Sequence, residues 1–172
     1  MAEIHHDGQK PSDFGYGRAF HGSIAIGADH SGLSFKGEIL AFIEQLDYRA
    51  LDLGTKDTAP VDYPDIAREV CASLLQGKCS KGILICGSGV GASVAANKIR
   101  GIRAGLCHDT YSAHQGVEHD DMNILCLGAR VVGIELAKEL VSAFIRASFS
   151  GEERHVRRLD KVWQLENTGK SE

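Results

Sequence analysis

The sequence has few of the features that mark membrane, secreted or nucleic-acid-binding proteins. None of its apolar runs approaches the roughly 20 residues that cross a bilayer, and the N-terminus lacks the apolar core of a signal peptide. Basic residues are not in excess, because 19 Lys and Arg stand against 23 Asp and Glu. The net charge of -4 therefore gives nucleic acid no general basic surface. We expect a cytoplasmic protein that binds neither membranes nor nucleic acid.

The sequence also lacks the cysteine pattern of a disulfide framework. Its five cysteines are odd in number, and no two of them form a Cys-x-x-Cys pair. This usage is typical of a reducing compartment. The five are Cys71, Cys79, Cys86, Cys107 and Cys126.

What is present is enough apolar content for one folded domain. Hydrophobic residues make up 43% of the sequence, which is typical of a globular protein. A chain of 172 residues is also long enough to bury a sizeable core. We expect a single domain over residues 22–166. The polar, aperiodic residues 1–21 are predicted to form a flexible extension, and residues 167–172 a frayed tail.

Short apolar segments alternate with longer segments of helical periodicity along the whole domain. Strands are predicted at 23–28, 83–85, 103–107 and 123–127, and residues 51–53 are predicted to end a further strand, the second in the chain. Helices are predicted at 33–46, 64–76, 92–98, 110–119, 133–147 and 152–165. This alternation predicts an α/β fold, a Rossmann-like three-layer αβα sandwich around a five-stranded parallel sheet.

The most informative stretch joins the third strand to the third helix. Cys86 ends the apolar run, and the glycine-rich loop Gly87-Ser-Gly-Val-Gly91 follows directly. Three glycines in five residues allow a tight turn and a close approach to a ligand. The unpaired amides and dipole at the start of the next helix favour an anion, and the same field favours a thiolate over a thiol.

Two other interpretations of this stretch remain open at this point. A free cysteine is more often a small buried apolar residue than a reactive one. The spacing of Gly87, Gly89 and Ala92, with Asp109 about twenty residues on, also fits a dinucleotide-binding fingerprint loosely. That second interpretation predicts a nicotinamide-dependent oxidoreductase or a nucleotide-binding module.

Titratable residues follow the predicted strands, although the strands themselves carry almost no charge. Asp29 and His30 follow the first strand, His108 and Asp109 the fourth, and Arg130 the fifth. Some of these side chains serve equally well as helix caps. Because the carboxyl ends of parallel strands share one edge of a sheet, we expect a ligand site there.

Taken together, these motifs resemble the ribose-5-phosphate isomerase B family, which also contains the galactose-6-phosphate isomerase subunits. The resemblance covers about residues 23–165. The matching segments are Gly27-Ala-Asp-His-Ser-Gly32, Asp62-Tyr-Pro64, Ile85-Cys-Gly-Ser-Gly-Val-Gly91, Ala95-Ala-Asn-Lys98, Gly101-Ile-Arg103, His119, Gly128-Ala-Arg130 and Arg154-His155-x-x-Arg158.

The resemblance implies an aldose–ketose isomerase that needs neither a metal nor a cofactor. It implies that Cys86 is the base that moves a proton between C2 and C1, and that His119 is the acid that opens the furanose ring. It further implies that Ser88 is a catalytic residue together with Cys86 and His119. The amides of the loop Gly87–Gly91 match the amides that hold the enediolate oxygen in the family. The implied substrate-binding residues are Asp29, His30, Tyr63, Gly87, Ser88, Gly89, Val90, Gly91, Asp120, Arg130, Arg154 and Arg158.

The resemblance also implies a homodimer or homotetramer, because the arginines matching Arg154 and Arg158 typically reach a neighbouring subunit's site. Asp120 departs from the family pattern, which usually has asparagine after the acid histidine. Ionised aspartate accepts hydrogen bonds but cannot donate them. This difference implies an altered substrate preference, a raised pKa or a side chain that turns away. The expected substrate is ribose 5-phosphate; the alternatives are a hexose 6-phosphate or a tetrose 4-phosphate.

Overall fold

A computed structural model describes Gly17 and residues 22–168 of the chain. Five parallel strands form one sheet in the order β2-β1-β3-β5-β4. Their bounds are Ser23–Ala28 (β1), Arg49–Asp52 (β2), Lys81–Cys86 (β3), Ala104–Leu106 (β4) and Ile124–Gly128 (β5). Every predicted strand is present. The fourth is shorter than predicted at both ends. The N–H of Arg103 donates to the side-chain oxygen of Asn123 instead of to a neighbouring strand, and Cys107 follows the strand.

Within residues 22–168, six helices connect and follow the strands. Their bounds are Leu33–Gln45 (α1), Tyr63–Leu75 (α2), Val90–Ala96 (α3), Thr110–Asp120 (α4), Ile134–Arg146 (α5) and Glu153–Thr168 (α6). Helix α6 continues beyond the predicted domain boundary at residue 166, and the amide of Asn167 donates to the carbonyl of Trp163 inside it. The predicted frayed tail therefore begins as helix, and residues 169–172 lie outside the described residues.

The strands alternate their side chains between two apolar layers, which makes the fold the predicted αβα sandwich. Ile83 and Ile85 of β3 pack on one face of the sheet against α1, α4 and α5. Leu84 and Cys86 pack on the other face against α2 and α3. Both faces are covered, which is why the central strands are almost continuously apolar.

The strand order creates a crevice at the centre of the sheet. The chain leaves β1 toward β2 on one side, and leaves β3 toward β4 on the other. In open α/β sheets, the carboxyl ends of two strands at such a switch point leave space for a ligand. The crevice therefore lies between Ala28 at the end of β1 and Cys86 at the end of β3.

The predicted flexible extension, residues 1–21, falls almost wholly outside the described residues. Gly17 is the exception, and its N–H donates to Oδ2 of Asp121 at 3.2 Å. Within residues 22–168, no helix combines the length and the apolarity that crossing a membrane requires.

A buried lysine ties α5 to the sheet at the amino end of β3. Lys81 is only 7% exposed, and its Nζ donates to the carbonyls of Phe144, Ile145 and Ala147 at 2.6, 2.9 and 2.7 Å. Burial lowers the pKa of Lys81 to about 8, and nearby Asp121 opposes this shift. The ammonium group thus satisfies carbonyls at the end of a helix that has no further turn to pair them.

We expect Lys81→Met to lower the free energy of unfolding by about 3 kcal/mol, because it leaves buried carbonyls without donors. The measurement is urea unfolding followed by circular dichroism. Lys78→Met is the matched control, since Lys78 is exposed in the turn just before β3. Equal stability of the two variants would contradict this role for Lys81.

Candidate active site

A cleft of about 350 Å³ opens at the carboxyl edge of the sheet, where β1 and β3 end. Its size is within the range of small-molecule sites. It brings together predicted site residues from four different segments of the chain. The lining residues are Asp29, Tyr63, Cys86, Gly87, Ser88, Gly91, Arg130 and Val131.

Cys86 forms the floor of this cleft. It is 5% exposed, and its Sγ accepts a hydrogen bond from the N–H of Gly89 at 3.1 Å. Gly89 has a left-handed φ of +79°, and a Cβ there would come within 2.5 Å of Leu106 and 3.0 Å of the Leu127 backbone. Only glycine therefore fits the turn that points this amide at the sulfur.

The other four cysteines are buried apolar residues. Burial raises the pKa of Cys71 to about 11, and burial together with Asp109 raises that of Cys107 to about 11. Burial also raises the pKa of Cys79 and, further, that of Cys126. Cys107 lies just after β4, not inside it as predicted. These four therefore remain neutral thiols near pH 7, in agreement with the packing role that most free cysteines have.

Ser88 and Tyr63 form the rim on the side of α2 and α3. Ser88 is exposed, and its hydroxyl accepts a hydrogen bond from the N–H of Val90 at 3.3 Å. A Cβ on Gly91 would lie 2.8 Å from the Tyr63 ring, so this glycine lets the phenol pack directly on the first turn of α3. The glycine loop and the tyrosine thus make one continuous wall.

Asp29 lines the opposite side of the cleft, and the exposed His30 follows it directly after β1. Oδ1 of Asp29 accepts hydrogen bonds from the N–H groups of Ser31 and Gly32 at 2.8 and 3.1 Å, which fixes the carboxylate at the cleft. Nδ1 of His30 accepts from the N–H of Val61 at 3.3 Å. The neutral ring of His30 therefore carries its proton on Nε2 and has a donor for an oxygen of a bound molecule.

Arg130 supplies the positive charge at the cleft. Its backbone N–H donates to the carbonyl of Gly87 at 3.0 Å, which extends the β3–β5 pairing into the loop. Its exposed guanidinium donates to Oγ of Ser31 at 3.2 Å, beside Asp29 and His30. A guanidinium in this position can hold a phosphate group by paired hydrogen bonds. We call this whole assembly, from Asp29 to Arg130, the carboxyl-edge half-site.

His119 lies at the opposite edge of the sheet. Helix α4 runs back along the sheet from its start after β4, and His119 is next to its end. The helix stops at Asp121, which pairs with Arg103 at 2.5 Å, and Arg103 directly precedes β4. Cys86 ends a six-residue strand, which spans roughly 16 Å. One chain therefore holds the predicted base and the predicted acid at opposite ends of the sheet.

Three other predicted site residues lie near His119 instead of near Cys86. Asp120 is the exposed last residue of α4, and Arg154 and Arg158 are exposed on α6, which packs against α4. Arg154 donates to Glu152 at 2.8 Å. We call His119, Asp120, Arg154 and Arg158 the amino-edge half-site.

Two residues that the sequence did not single out as functional contact His119. His155 is fully buried, and its ring stacks on that of His119 with centroids 4.1 Å apart. Burial and then the charge of His119 lower the pKa of His155. Gln115 lies one turn before His119 on α4, with its amide nitrogen 2.7 Å from Nδ1. The four-residue spacing of Gln115 and His119 is the one signal in the sequence that indicated such a contact.

The structure places Asp109, the acidic residue of the dinucleotide-binding interpretation, in a different role. Asp109 caps α4, where its carboxylate accepts hydrogen bonds from the N–H and the hydroxyl of Ser112 at 2.7 and 2.8 Å. These bonds lower the pKa of Asp109. Its carboxylate therefore caps the helix, whereas in a dinucleotide-binding fingerprint the acidic residue binds a ribose hydroxyl.

Known proteins match this chain over nearly all of its described length. A family model described as Ribose/Galactose Isomerase matches residues 24–162. Ribose-5-phosphate isomerase B of Escherichia coli (strain K12) is 43% identical over 143 residues, which are 83% of this chain and 95% of that protein. D-erythrulose-4-phosphate isomerase of Pectobacterium atrosepticum is 42% identical over 131 residues, 75% of this chain and 86% of that protein.

A solved structure agrees with these sequence matches. Ribose-5-phosphate isomerase B of Clostridium thermocellum has a TM-score of 0.83 and 44% identity, over 86% of this chain and 99% of that chain. The match is therefore one of fold and sequence together, and it covers both half-sites. The chain belongs to the ribose/galactose isomerase family and is an aldose–ketose isomerase of sugar phosphates.

Proposed function

We propose that this protein interconverts ribose 5-phosphate and ribulose 5-phosphate through an enediolate. The observation that carries this proposal is Cys86, the one cysteine at the cleft, whose sulfur accepts an amide hydrogen bond beside a glycine loop and a guanidinium. The proposed reaction moves one hydrogen between C2 and C1 and needs no metal or cofactor. Five free thiols also suit the cytoplasmic location predicted from the sequence.

Cys86 acts as the proposed base. Its thiolate takes the proton from C2 of the open-chain aldose, and the electron pair of that bond forms the C1–C2 double bond. The carbonyl oxygen on C1 becomes an oxyanion, which the amides of the loop Gly87–Gly91 can stabilise. The thiol then returns the proton to C1, while the hydroxyl proton of O2 leaves and O1 is protonated. Ser88, on the exposed rim of the loop, contacts the sugar during these transfers.

The remaining carboxyl-edge residues orient the substrate. Asp29 accepts hydrogen bonds from sugar hydroxyls, and Nε2–H of His30 donates to a substrate oxygen. Tyr63 packs against the sugar, and Arg130 holds the phosphate with its fork of donors. These contacts fix C2 over the sulfur, which proton transfer from carbon requires.

The amino-edge half-site comes from a second copy of the chain in this proposal. His119 and Cys86 are held at opposite edges of one sheet, so they meet only when two chains pack with the opposite edges together. Arg154 and Arg158 of the second copy then add positive charge at the phosphate, and His119 protonates the ring oxygen of the furanose. The proposed unit is a homodimer or a homotetramer of such dimers.

Asp120 is proposed to set part of the substrate preference. It is exposed beside His119 and, as a carboxylate, it accepts hydrogen bonds from hydroxyl groups while repelling a phosphate. A hexose 6-phosphate or a tetrose 4-phosphate would meet this carboxylate differently, because the chain length decides where the phosphate lies. One relative of this chain is named for a four-carbon ketose phosphate.

A turnover panel tests the substrate. We expect the highest kcat/KM with ribose 5-phosphate, compared with erythrose 4-phosphate and with allose 6-phosphate or galactose 6-phosphate, measured as ketose formed. Preference for the four- or six-carbon sugar would overturn the pentose assignment but keep the reaction type. Binding of NAD in a calorimetric titration, without binding of any sugar phosphate, would favour the oxidoreductase interpretation.

We expect Cys86→Ser to lower kcat by about two to four orders of magnitude, because a hydroxyl is a far weaker base than a thiolate. The affinity for the sugar phosphate, measured by calorimetry, should change little, since Arg130 and the loop amides remain. Cys71→Ser is the control and should keep kcat. In the parent, iodoacetamide should label Cys86 first, and ribose 5-phosphate should slow that labelling. A kcat near the parent value for Cys86→Ser would show that this cysteine only packs.

A mixing experiment tests the two-chain site. Cys86→Ser and His119→Ala proteins should each be nearly inactive, yet a hybrid dimer contains one site with both native residues. With free exchange of subunits, an equal mixture should recover about a quarter of the parent activity. Cys86→Ser mixed with the Cys86→Ser/His119→Ala double variant is the control and should recover none. Absence of recovery in the first mixture, with exchange confirmed by mass spectrometry, would mean that one chain builds each site.

A further inference from the structure

The polar neighbours of His119 differ at its two ring nitrogens. At Nδ1 lies the amide nitrogen of Gln115, 2.7 Å away and one turn earlier on α4. At Nε2 lies a carboxylate oxygen of Glu118, 3.8 Å away. Gln115 places a donor within hydrogen-bond distance of Nδ1, whereas the Glu118 oxygen is too far from Nε2 for a hydrogen bond and acts there only through its negative charge.

These two contacts favour the same form of the neutral ring. With the amide placed as in this structure, the N–H₂ group of Gln115 faces Nδ1 of His119 and can only donate. Nδ1 of a neutral ring then accepts with its lone pair, and the ring proton is on Nε2. The carboxylate of Glu118 also favours an N–H at Nε2. Glu118 is shared with His114, whose Nε2 is 3.5 Å from the same carboxylate oxygen. Glu152, Arg154 and Arg158 on the neighbouring segment also act on the stacked rings through their charges.

The orientation of the His119 ring is also restrained by stacking. His155 stacks on it with an interplanar angle of 27°, and His155 is itself fixed because its Nδ1 is 2.6 Å from Oγ of Ser150. The N–H of Ser150 donates to the carbonyl of Glu118 at 2.9 Å, which ties this segment to the last turn of α4. Because His155 stacks on one face of the His119 ring, the ring keeps the orientation in which its Nδ1 contacts the Gln115 amide.

We propose that Gln115 is a positioning residue that keeps the proton of neutral His119 on Nε2, the ring nitrogen that Gln115 does not contact. This assignment rests on the proposed function for its catalytic meaning. An acid that opens a furanose ring must present an N–H to the ring oxygen, and a histidine with the opposite tautomer would present a lone pair there. Gln115 therefore selects the donor form of the ring before the substrate arrives.

Gln115→Glu tests this role with almost no change of shape. A carboxylate accepts hydrogen bonds but cannot donate them, so the proton of neutral His119 should move to Nδ1. The measurement is the ¹⁵N chemical shifts of the His119 ring at a pH where the ring is neutral, with the signals assigned from their loss in His119→Asn. We expect the Nε2–H tautomer in the parent and the Nδ1–H tautomer in Gln115→Glu. Gln45→Glu, which makes the same charge change at the exposed end of α1, should leave the spectrum unchanged.

Kinetics provide the second measurement. Gln115→Glu should lower kcat for ribose 5-phosphate by about tenfold to a hundredfold with little change in KM, the range typical of residues that orient a functional ligand. Gln115→Ala, which frees Nδ1 without offering an acceptor, should lose less. An Nδ1–H tautomer in the parent, or an unchanged tautomer in Gln115→Glu, would overturn the proposal. The tautomer is read without turnover, so a parent that fails to convert ribose 5-phosphate would refute the proposed function separately.

Discussion

Parallel pairing of all five strands is the constraint on which the rest of this structure depends. Each strand is followed by a helix that returns along the sheet, so every strand ends at the same edge and every following loop opens there. In the strand order β2-β1-β3-β5-β4, the loops after β1 and β3 lead to opposite sides and leave a gap between them. Cys86 and Asp29 face each other across this gap because of the topology, although 56 residues separate them in sequence.

The same constraint places His119 and its neighbours at the end of the sheet opposite to the cleft. A helix that returns along the sheet must end at the edge opposite to its start, and α4 therefore carries His119 away from the cleft. Arg103 and Asp121 fix that end of α4 beside the start of β4. A single domain of this architecture cannot bend α4 back to Cys86 without losing the apolar contacts of Ala113 and Val117 in the core. The proposed pairing of two copies by symmetry would bring the two groups together with no change to either fold.

The sequence was sufficient for the architecture and for the carboxyl-edge half-site. The helices had clear hydrophobic periodicity and the strands were short apolar runs. The glycines and titratable residues that follow the strands indicated that the site lies at the carboxyl edge of the sheet. It was insufficient for contacts between elements whose packing no period specifies. The stacking of His119 on His155 joins α4 to α6, and the bond from Ser150 to Glu118 joins the loop before α6 to the same helix. Such contacts depend on the angle between two helices, and side-chain spacing along either one does not determine that angle.

The proposed site shared by two chains would require each half to be rigid before the halves meet. The carboxyl-edge half achieves this with backbone amides, as Gly89 fixes the sulfur and Ser31 and Gly32 fix Asp29. Around the amino-edge half-site, buried or half-buried polar side chains fix the helix ends instead, with Lys81 holding the end of α5 and Arg103 holding the end of α4. The amino edge needs these side chains because helices end there with unpaired carbonyls, whereas the loops at the carboxyl edge present free N–H groups. The two edges of one sheet therefore supply complementary chemistry, amides for an anion on one side and side-chain acids and cations on the other.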